Sequence, residues 1–149
     1  MKPRQIMPPT YLLIAILSMV ILHLILPKIE IIPPLWNLLG ILPILAGLTI
    51  NLIADQAFQK SRTTIRPFEE SSVLVTHGIF QISRNPMYLG LALIASGVAV
   101  LLGSLAPFLV TLAFAALIDR VFITAEERML ACRFGPSYAM YKEETRRWV

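Results

Sequence analysis

The residues of this chain best suited to chemistry fall mainly in two short stretches. The first is Arg84-Asn85-Pro86-Met87-Tyr88-Leu89-Gly90, where a polar connection becomes a long apolar run. Asparagine favours the N-cap and proline the first helical position, so the stretch reads as a helix entrance. The first turn of a helix presents backbone N–H groups with no intrahelical partner, and Arg84 adds a full positive charge just outside them. An anionic group is well held at such a place. The same residues equally fit plain helix punctuation, with Arg84 meeting lipid phosphates. The second stretch is the pair Glu126-Glu127, just beyond another apolar run. Glu126 could accept hydrogen bonds from an ammonium or from ribose hydroxyls while the entrance holds a carboxylate, a division suited to a zwitterionic, partly aromatic cofactor. On residue type alone, such a pair is more often a solvated helix end.

The remaining candidates read as structural. His23 lies inside an apolar segment, where a lone histidine usually bonds a carbonyl or water. Asn51 and Asp55 are four apart and share a helix face. They read as capping and solvating the helix end, with contact to a polar cofactor as the alternative. Cys132 is the only cysteine, which rules out an internal disulfide and a cysteine-based metal cluster.

The elements that must position these residues are apolar helices. The 149 residues suit one domain, 1–149. They are 56% hydrophobic and 15% charged, with a mean hydropathy of +0.72, outside the range of soluble domains. The expected fold is all-α: an integral membrane protein with four transmembrane helices, approximately 11–26, 35–58, 87–103 and 105–123, and a helical tail. Lys2 and Arg4 precede the first run without a small-residue cleavage site after it, so a retained span is expected rather than a signal peptide. Pro43 is expected to bend the second span. Gly90 and Gly97, seven apart, put small residues on one face of the third for close helix contact. Gly103-Ser104 and Pro107 bracket a short uncharged turn, which makes spans three and four an antiparallel hairpin.

The connection 59–86 is long and polar, and loops of this length are often functional. The tail, 124–149, opens with Thr124 and Glu127 at capping-box spacing, consistent with a new helix or a continued one. It restarts at Gly135-Pro136 and ends in Tyr138, Tyr141, Lys142, Arg146, Arg147 and Trp148, a mixture suited to a membrane interface. Basic residues concentrate at the start, in the central connection and in the tail, so the positive-inside rule makes both termini cytoplasmic. The net charge of +4 follows from those basic segments and calls for no nucleic-acid partner. The central connection and the tail then face each other across one surface, with Asp119 and Arg120 at the same level as Arg84.

Leu74-Val75-Thr76-His77-Gly78-Ile79-Phe80, then Arg84-Asn85-Pro86-Met87-Tyr88-Leu89-Gly90, and after the hairpin Glu126-Glu127-Arg128 with Phe134-Gly135, Tyr138 and Tyr141, resemble the isoprenylcysteine carboxyl methyltransferase and phospholipid methyltransferase group of integral membrane enzymes. The resemblance covers roughly the C-terminal half. It implies methyl transfer from S-adenosyl-L-methionine, bound on the cytoplasmic side, to a lipophilic small molecule or lipid acceptor entering from the membrane. Carried over by position, the cofactor shell is Ser72, Val73, Leu74, Val75, Phe80, Asn85, Pro86, Met87 and Tyr88, closed by Glu126. The family often has histidine where this chain has Asn85, which cannot titrate near neutral pH. The eukaryotic carboxyl methyltransferases have an arginine shortly before the glutamate pair, where this chain has Phe122, with Arg120 two residues earlier.

An activated methyl group needs only a nucleophile held close and in line, with water excluded. A carboxylate or thiolate needs no base, whereas an amine must lose a proton, and only His77 is at hand as a histidine. Arg120 is the candidate catalytic residue, orienting an anionic acceptor. The rival class is a non-catalytic four-helix membrane scaffold that keeps the fold. A small transporter fits poorly, because no span shows a charged or broken midplane pattern.

Overall fold

The computed structural model describes residues 7–27, 29–61 and 73–149. Helix α1 runs over Pro8–Ile25. A 3-10 turn at Trp36–Gly40 continues directly into α2, Ile41–Lys60. After a short 3-10 turn at Gly78–Gln81 come α3, Pro86–Leu102, and α4, Leu105–Leu117. A π-helical stretch at Ile118–Ile123 joins α4 to α5, Thr124–Phe134, and α6 spans Pro136–Glu144. Among the described residues there is no strand, only an isolated bridge between Glu30 and Ser104.

Among the described residues, three helical runs are long and apolar enough to cross a membrane: Pro8–Ile25, Trp36–Lys60 and Leu105–Phe134. Helix α3 is as apolar but has 17 residues. It is also the most enclosed, with Tyr88, Gly90, Leu91, Ala95, Gly97 and Ala99 buried. By contrast, α1, α2 and α4 turn Leu13, Leu17, Leu24, Leu42, Leu52 and Leu112 outward. Leucines in such numbers suit hydrocarbon as the surrounding solvent.

Helices α2 and α3 meet glycine to glycine. A Cβ on Gly97 would stand 2.5 Å from the Gly40 carbonyl oxygen, and one on Gly47 would collide with the carbonyl oxygen of Gly90. The face predicted from Gly90 and Gly97 is therefore used, and its partner is a second pair seven apart, Gly40 and Gly47, that the sequence reading overlooks. Without side chains between them the backbones approach closely and gain dispersion contact. On the other flank, Met19 of α1 and Ile118, Phe122 and Ile123 of the π segment form a core with Tyr88, Leu91 and Phe114.

At the end of the bundle where α1 stops, the two short connections lace together. Leu105 N–H donates to the Ile29 carbonyl, Ile31 N–H donates to that of Gly103, and His23 Nδ1 lies 2.7 Å from Ser104 Oγ. Gly103, at φ 68°, supplies the left-handed turn that reverses the chain into α4.

Pro43 lies in the first turn of α2, just after the change from 3-10 to α geometry at Ile41, and has no N–H to return to Leu39. Of the two readings of Thr124 and Glu127, the continued helix holds: α4, the π stretch and α5 form one run in which Thr124 Oγ1 donates to the Asp119 carbonyl. One expectation is corrected: Tyr138 and Tyr141 do not face an interface. Both are buried with Ala54, Val75 and Phe80 in a second core, because the tail folds back over the connection that precedes α3.

Candidate functional site

The fold-back is fixed by polar contacts. Arg84 N–H donates to the Arg146 carbonyl, and Asn85 Nδ2 donates to that of Arg147 at 3.0 Å. Tyr141 donates its hydroxyl to the Phe80 carbonyl at 2.5 Å. Burial pushes the Tyr138 phenol up to about 12, with the Glu127 charge adding to the effect, and burial raises that of Tyr141 as well. Both tyrosines therefore keep their protons at any ordinary pH and serve as neutral packing and donor groups.

Four charges close on one another behind α3. Arg84 Nη2 donates to Glu127 Oε1 at 2.9 Å, with both side chains largely buried. The other Arg84 terminal nitrogen donates to the Lys142 and Thr145 carbonyls. Arg147 Nη2 donates to Glu127 Oε2 at 2.5 Å, and its Nη1 lies 3.3 Å from both Asp119 oxygens. Hydrogen bonding to Glu127 holds the Arg147 guanidinium charged, its pKa raised further. Trp148 Nε1 donates to Asp119 Oδ1. Two cations thus meet two anions, and each buried charge has the partner it needs.

This arrangement corrects the picture of the helix entrance. Asn85 makes no side-chain cap on α3; its amide is spent on the tail, and its own N–H finds Ser83 Oγ instead. Arg84 is no open cation, since Glu127 neutralises it.

Beside the network lies a cavity of about 690 Å³ between α2, the start of α3 and the first turn of α5, reaching the N-terminal end of α1. Phe80, Asn85, Pro86, Met87, Tyr88 and Glu126 of the predicted shell line it together. Tyr88 donates its hydroxyl to Glu126 Oε1 at 2.5 Å, which fixes the carboxylate at the wall. Arg84 also borders the cavity, and so do Asn51 and Asp55, which the sequence reading assigns to the helix end. Most of the remaining lining is apolar: Met7, Pro8, Pro9, Leu48, Leu52, Phe58 and Leu91.

The other predicted residues lie elsewhere. Val73 and Leu74 border a separate hollow with Phe134, Met140 and Tyr141. Val75 is buried in the second core. The bonded pair Phe80 and Tyr141 belongs to the wall between cavity and hollow, since each borders one of them. Ser72 lies outside the described residues. Arg120 is exposed and is not part of the cavity lining. Successive helical residues point about 100° apart, so the turn that delivers Asp119 to Arg147 carries Arg120 to the outer flank.

The lining suits a zwitterionic guest. Among the described residues, two of those lining it each keep a buried polar atom without a hydrogen-bond partner, Asn51 Oδ1 and Arg84 Nε. One accepts and one donates, and with Glu126 they provide for both signs of charge. Among the described residues no cluster of histidine, cysteine and carboxylate side chains is arranged for a metal ion.

Comparison with known proteins bears on family and fold. Residues 35–137 match the family described as phospholipid methyltransferase. Over 75 residues the chain is 39% identical to the protein-S-isoprenylcysteine O-methyltransferase of Schizosaccharomyces pombe, a match spanning 48% of this chain and 30% of that protein. Over 63 residues it is 36% identical to an uncharacterized protein of Haemophilus influenzae, spanning 42% of this chain and 100% of that one. The solved structure of a eukaryotic intramembrane Ras methyltransferase, isoprenylcysteine carboxyl methyltransferase, shares the fold with a TM-score of 0.69 at 24% identity, over 95% of this chain and 51% of that one. The chain therefore spans about half of the solved relative and less than a third of the yeast enzyme.

Proposed function

The chain belongs to the phospholipid methyltransferase family, and from that membership and the cavity we propose that it transfers a methyl group from S-adenosyl-L-methionine to a lipophilic acceptor at the cytoplasmic membrane face. The observation that carries the reading is the meeting of Tyr88, Glu126 and the Arg84 to Met87 entrance around one largely apolar chamber. When bound, the sulfonium supplies a methyl group already activated for displacement. The chain's own part is placement. Glu126, held by Tyr88, accepts from an ammonium or from ribose hydroxyls. The backbone donors of the first α3 turn receive a carboxylate. Phe80, Phe58 and Leu91 keep water from the reacting centre. Met7, Pro8, Leu48 and Leu52 form the apolar side through which a lipid-like acceptor enters.

In this reading the whole chain is one membrane domain in which α3 crosses as a fourth span, shielded by its neighbours, and both termini face the cytoplasm. The test is equilibrium binding of S-adenosyl-L-methionine to the purified chain, followed by transfer of labelled methyl into a lipid extract. Glu126→Ala removes a charged hydrogen-bond acceptor worth about 1.5–3 kcal/mol, so affinity should fall about tenfold to a hundredfold. An unaltered affinity, or no binding by the parent chain, would leave only a scaffold with the family fold.

A further inference from the structure

We propose that the connection between α1 and α2, residues 29–39, is an interaction surface in its own right, immersed in the bilayer leaflet opposite the cavity, where it completes the apolar belt of the bundle. At about 1.5 Å per residue, the 18 residues of α1 and the 17 of α3 span about 25–27 Å, short of a hydrocarbon core about 30 Å thick. Apolar surface beyond the helix ends has to make up the difference. The end beside the cavity cannot supply it, because Arg84, Glu127 and Arg147 gather there. The other end can. Leu26, Ile29, Ile31 and Leu38 are exposed at it, together with Leu35, at 82%, and Trp36, at 64%. They continue the outward surface of α1 and α2 at Leu24 and Leu42. A patch of this kind marks a contact surface, and tryptophan favours the boundary between headgroups and hydrocarbon.

Unsatisfied backbone groups are what normally keep a loop out of lipid. This connection has few to expose. Pro33 and Pro34 carry no N–H. Ile31 and Ile32 both donate their N–H groups to the Gly103 carbonyl, the Ile29 carbonyl accepts from Leu105, and Leu38 N–H donates to the Leu35 carbonyl. The polar side chains are turned away as well. His23 and Ser104 bond to each other beneath the loop, and the Asn37 amide is folded in against Gly103. Glu30 is the one charged residue of the stretch. It lies in an extended bridge opposite Ser104, where successive side chains point to opposite faces, so Ile29 and Ile31 turn one way and the carboxylate the other. Glu30 therefore marks the headgroup side and the two isoleucines the lipid side.

Leu35 adds an independent sign. Its φ of 76° lies where a leucine rarely goes. Strain of this kind persists where the surroundings hold the residue in place, yet the Leu35 side chain packs on almost nothing in the protein. Water gives an exposed leucine no reason to stay there. Hydrocarbon does, since transfer of the side chain out of water opposes the backbone strain.

The experiment is tryptophan fluorescence of the full chain in phosphatidylcholine vesicles, read as the difference between the parent and Trp36→Phe so that Trp148 cancels. Trp36 is exposed, so the replacement should fold, and far-ultraviolet circular dichroism verifies it. The Trp36 signal should be blue-shifted from that of tryptophan in water. Phosphatidylcholine brominated near the headgroup should quench it severalfold more than iodide present on both sides of the vesicle. Leu35→Asp, compared with its own Trp36→Phe partner, puts a charge where lipid is proposed. It should shift the Trp36 signal to the red and raise iodide quenching severalfold at unchanged helix content. Leu35→Met, which keeps an apolar chain, should leave both as in the parent. Iodide quenching as strong as for tryptophan in water, or a Trp36 signal that Leu35→Asp does not move, overturns the proposal. None of these readouts involves the nucleoside, so the result stands apart from the methyl-transfer reading.

Discussion

Glu126 and Glu127 are adjacent on α5, yet they serve regions built on opposite terms. Glu127 enters a set of four charges in which Arg84 and Arg147 each find a carboxylate, and carbonyls of the tail take up the other Arg84 donors. Glu126 faces the cavity, bonded to a neutral phenol, among apolar side chains and two buried atoms still lacking partners. One region is satisfied and ties the tail to the entrance of α3. The other is left incomplete, as a binding site must be if a guest is to gain anything on entering. The network rigidifies the wall from behind, so that the cavity can keep unsatisfied groups in place.

The contrast is broken most sharply at Glu127. Glu127→Ala leaves Arg84 buried without its carboxylate, and loss of one partner of a buried pair costs about 3–5 kcal/mol. Thermal unfolding in detergent should show a large loss of stability and early release of the tail to protease. A melting temperature within a degree of the parent would mean that the network is ornamental. Glu126→Ala, one residue away, should act chiefly on binding. It should cost less stability than Glu127→Ala, about 1–3 kcal/mol for the Tyr88 hydroxyl left without its acceptor, while nucleoside affinity falls by the tenfold or more expected above. Parallel losses of stability and binding in both variants would merge the two regions into one.

A smaller effect is expected where the wall between cavity and hollow is pinned. Tyr141→Phe removes the hydroxyl that reaches the Phe80 carbonyl, leaves the ring packed in the second core and exposes no charge. The cost should be about 1 kcal/mol, visible as faster hydrogen exchange at residues 78–82 with α1 and α2 unchanged. Exchange that rises equally throughout the bundle would show that the tail is integral to the fold rather than docked on it.

Local rules make much of this legible in the sequence, and long-range pairing limits the rest. Proline at the start of α3, glycine at its end and the apolar run between are local signals, and the helix runs where they put it. Gly90 and Gly97 announce a contact face without saying which helix takes it. Only the matching spacing of Gly40 and Gly47 could have answered, and it lies in a segment that reads as uniformly apolar. Arg84 looks like an open cation because its carboxylate, Glu127, is 43 residues away. Asn51 and Asp55 look like a solvated helix end because polar residues near a terminus are common. Their place at the cavity depends on α2 and α3 touching at Gly47 and Gly90, a fact of packing rather than of propensity.

The smallest expected effect belongs to Arg120, and its smallness is informative. A guanidinium two residues before a buried phenylalanine looks well placed to orient an anionic acceptor. The π stretch, however, delivers Asp119 to Arg147 and Trp148 and leaves Arg120 exposed on the outer flank. Surface substitutions away from caps and buried charges usually stay within about 0.5 kcal/mol, so Arg120→Ala should leave the melting temperature and nucleoside affinity unchanged. Its effect on methyl transfer is the decisive measurement. If the cavity holds both donor and acceptor, Arg120→Ala leaves transfer into a lipid extract unchanged, because Arg120 is not part of its lining. If transfer drops while nucleoside affinity holds, Arg120 reaches the acceptor after all, and the boundary between the satisfied network and the open cavity must be redrawn to include it.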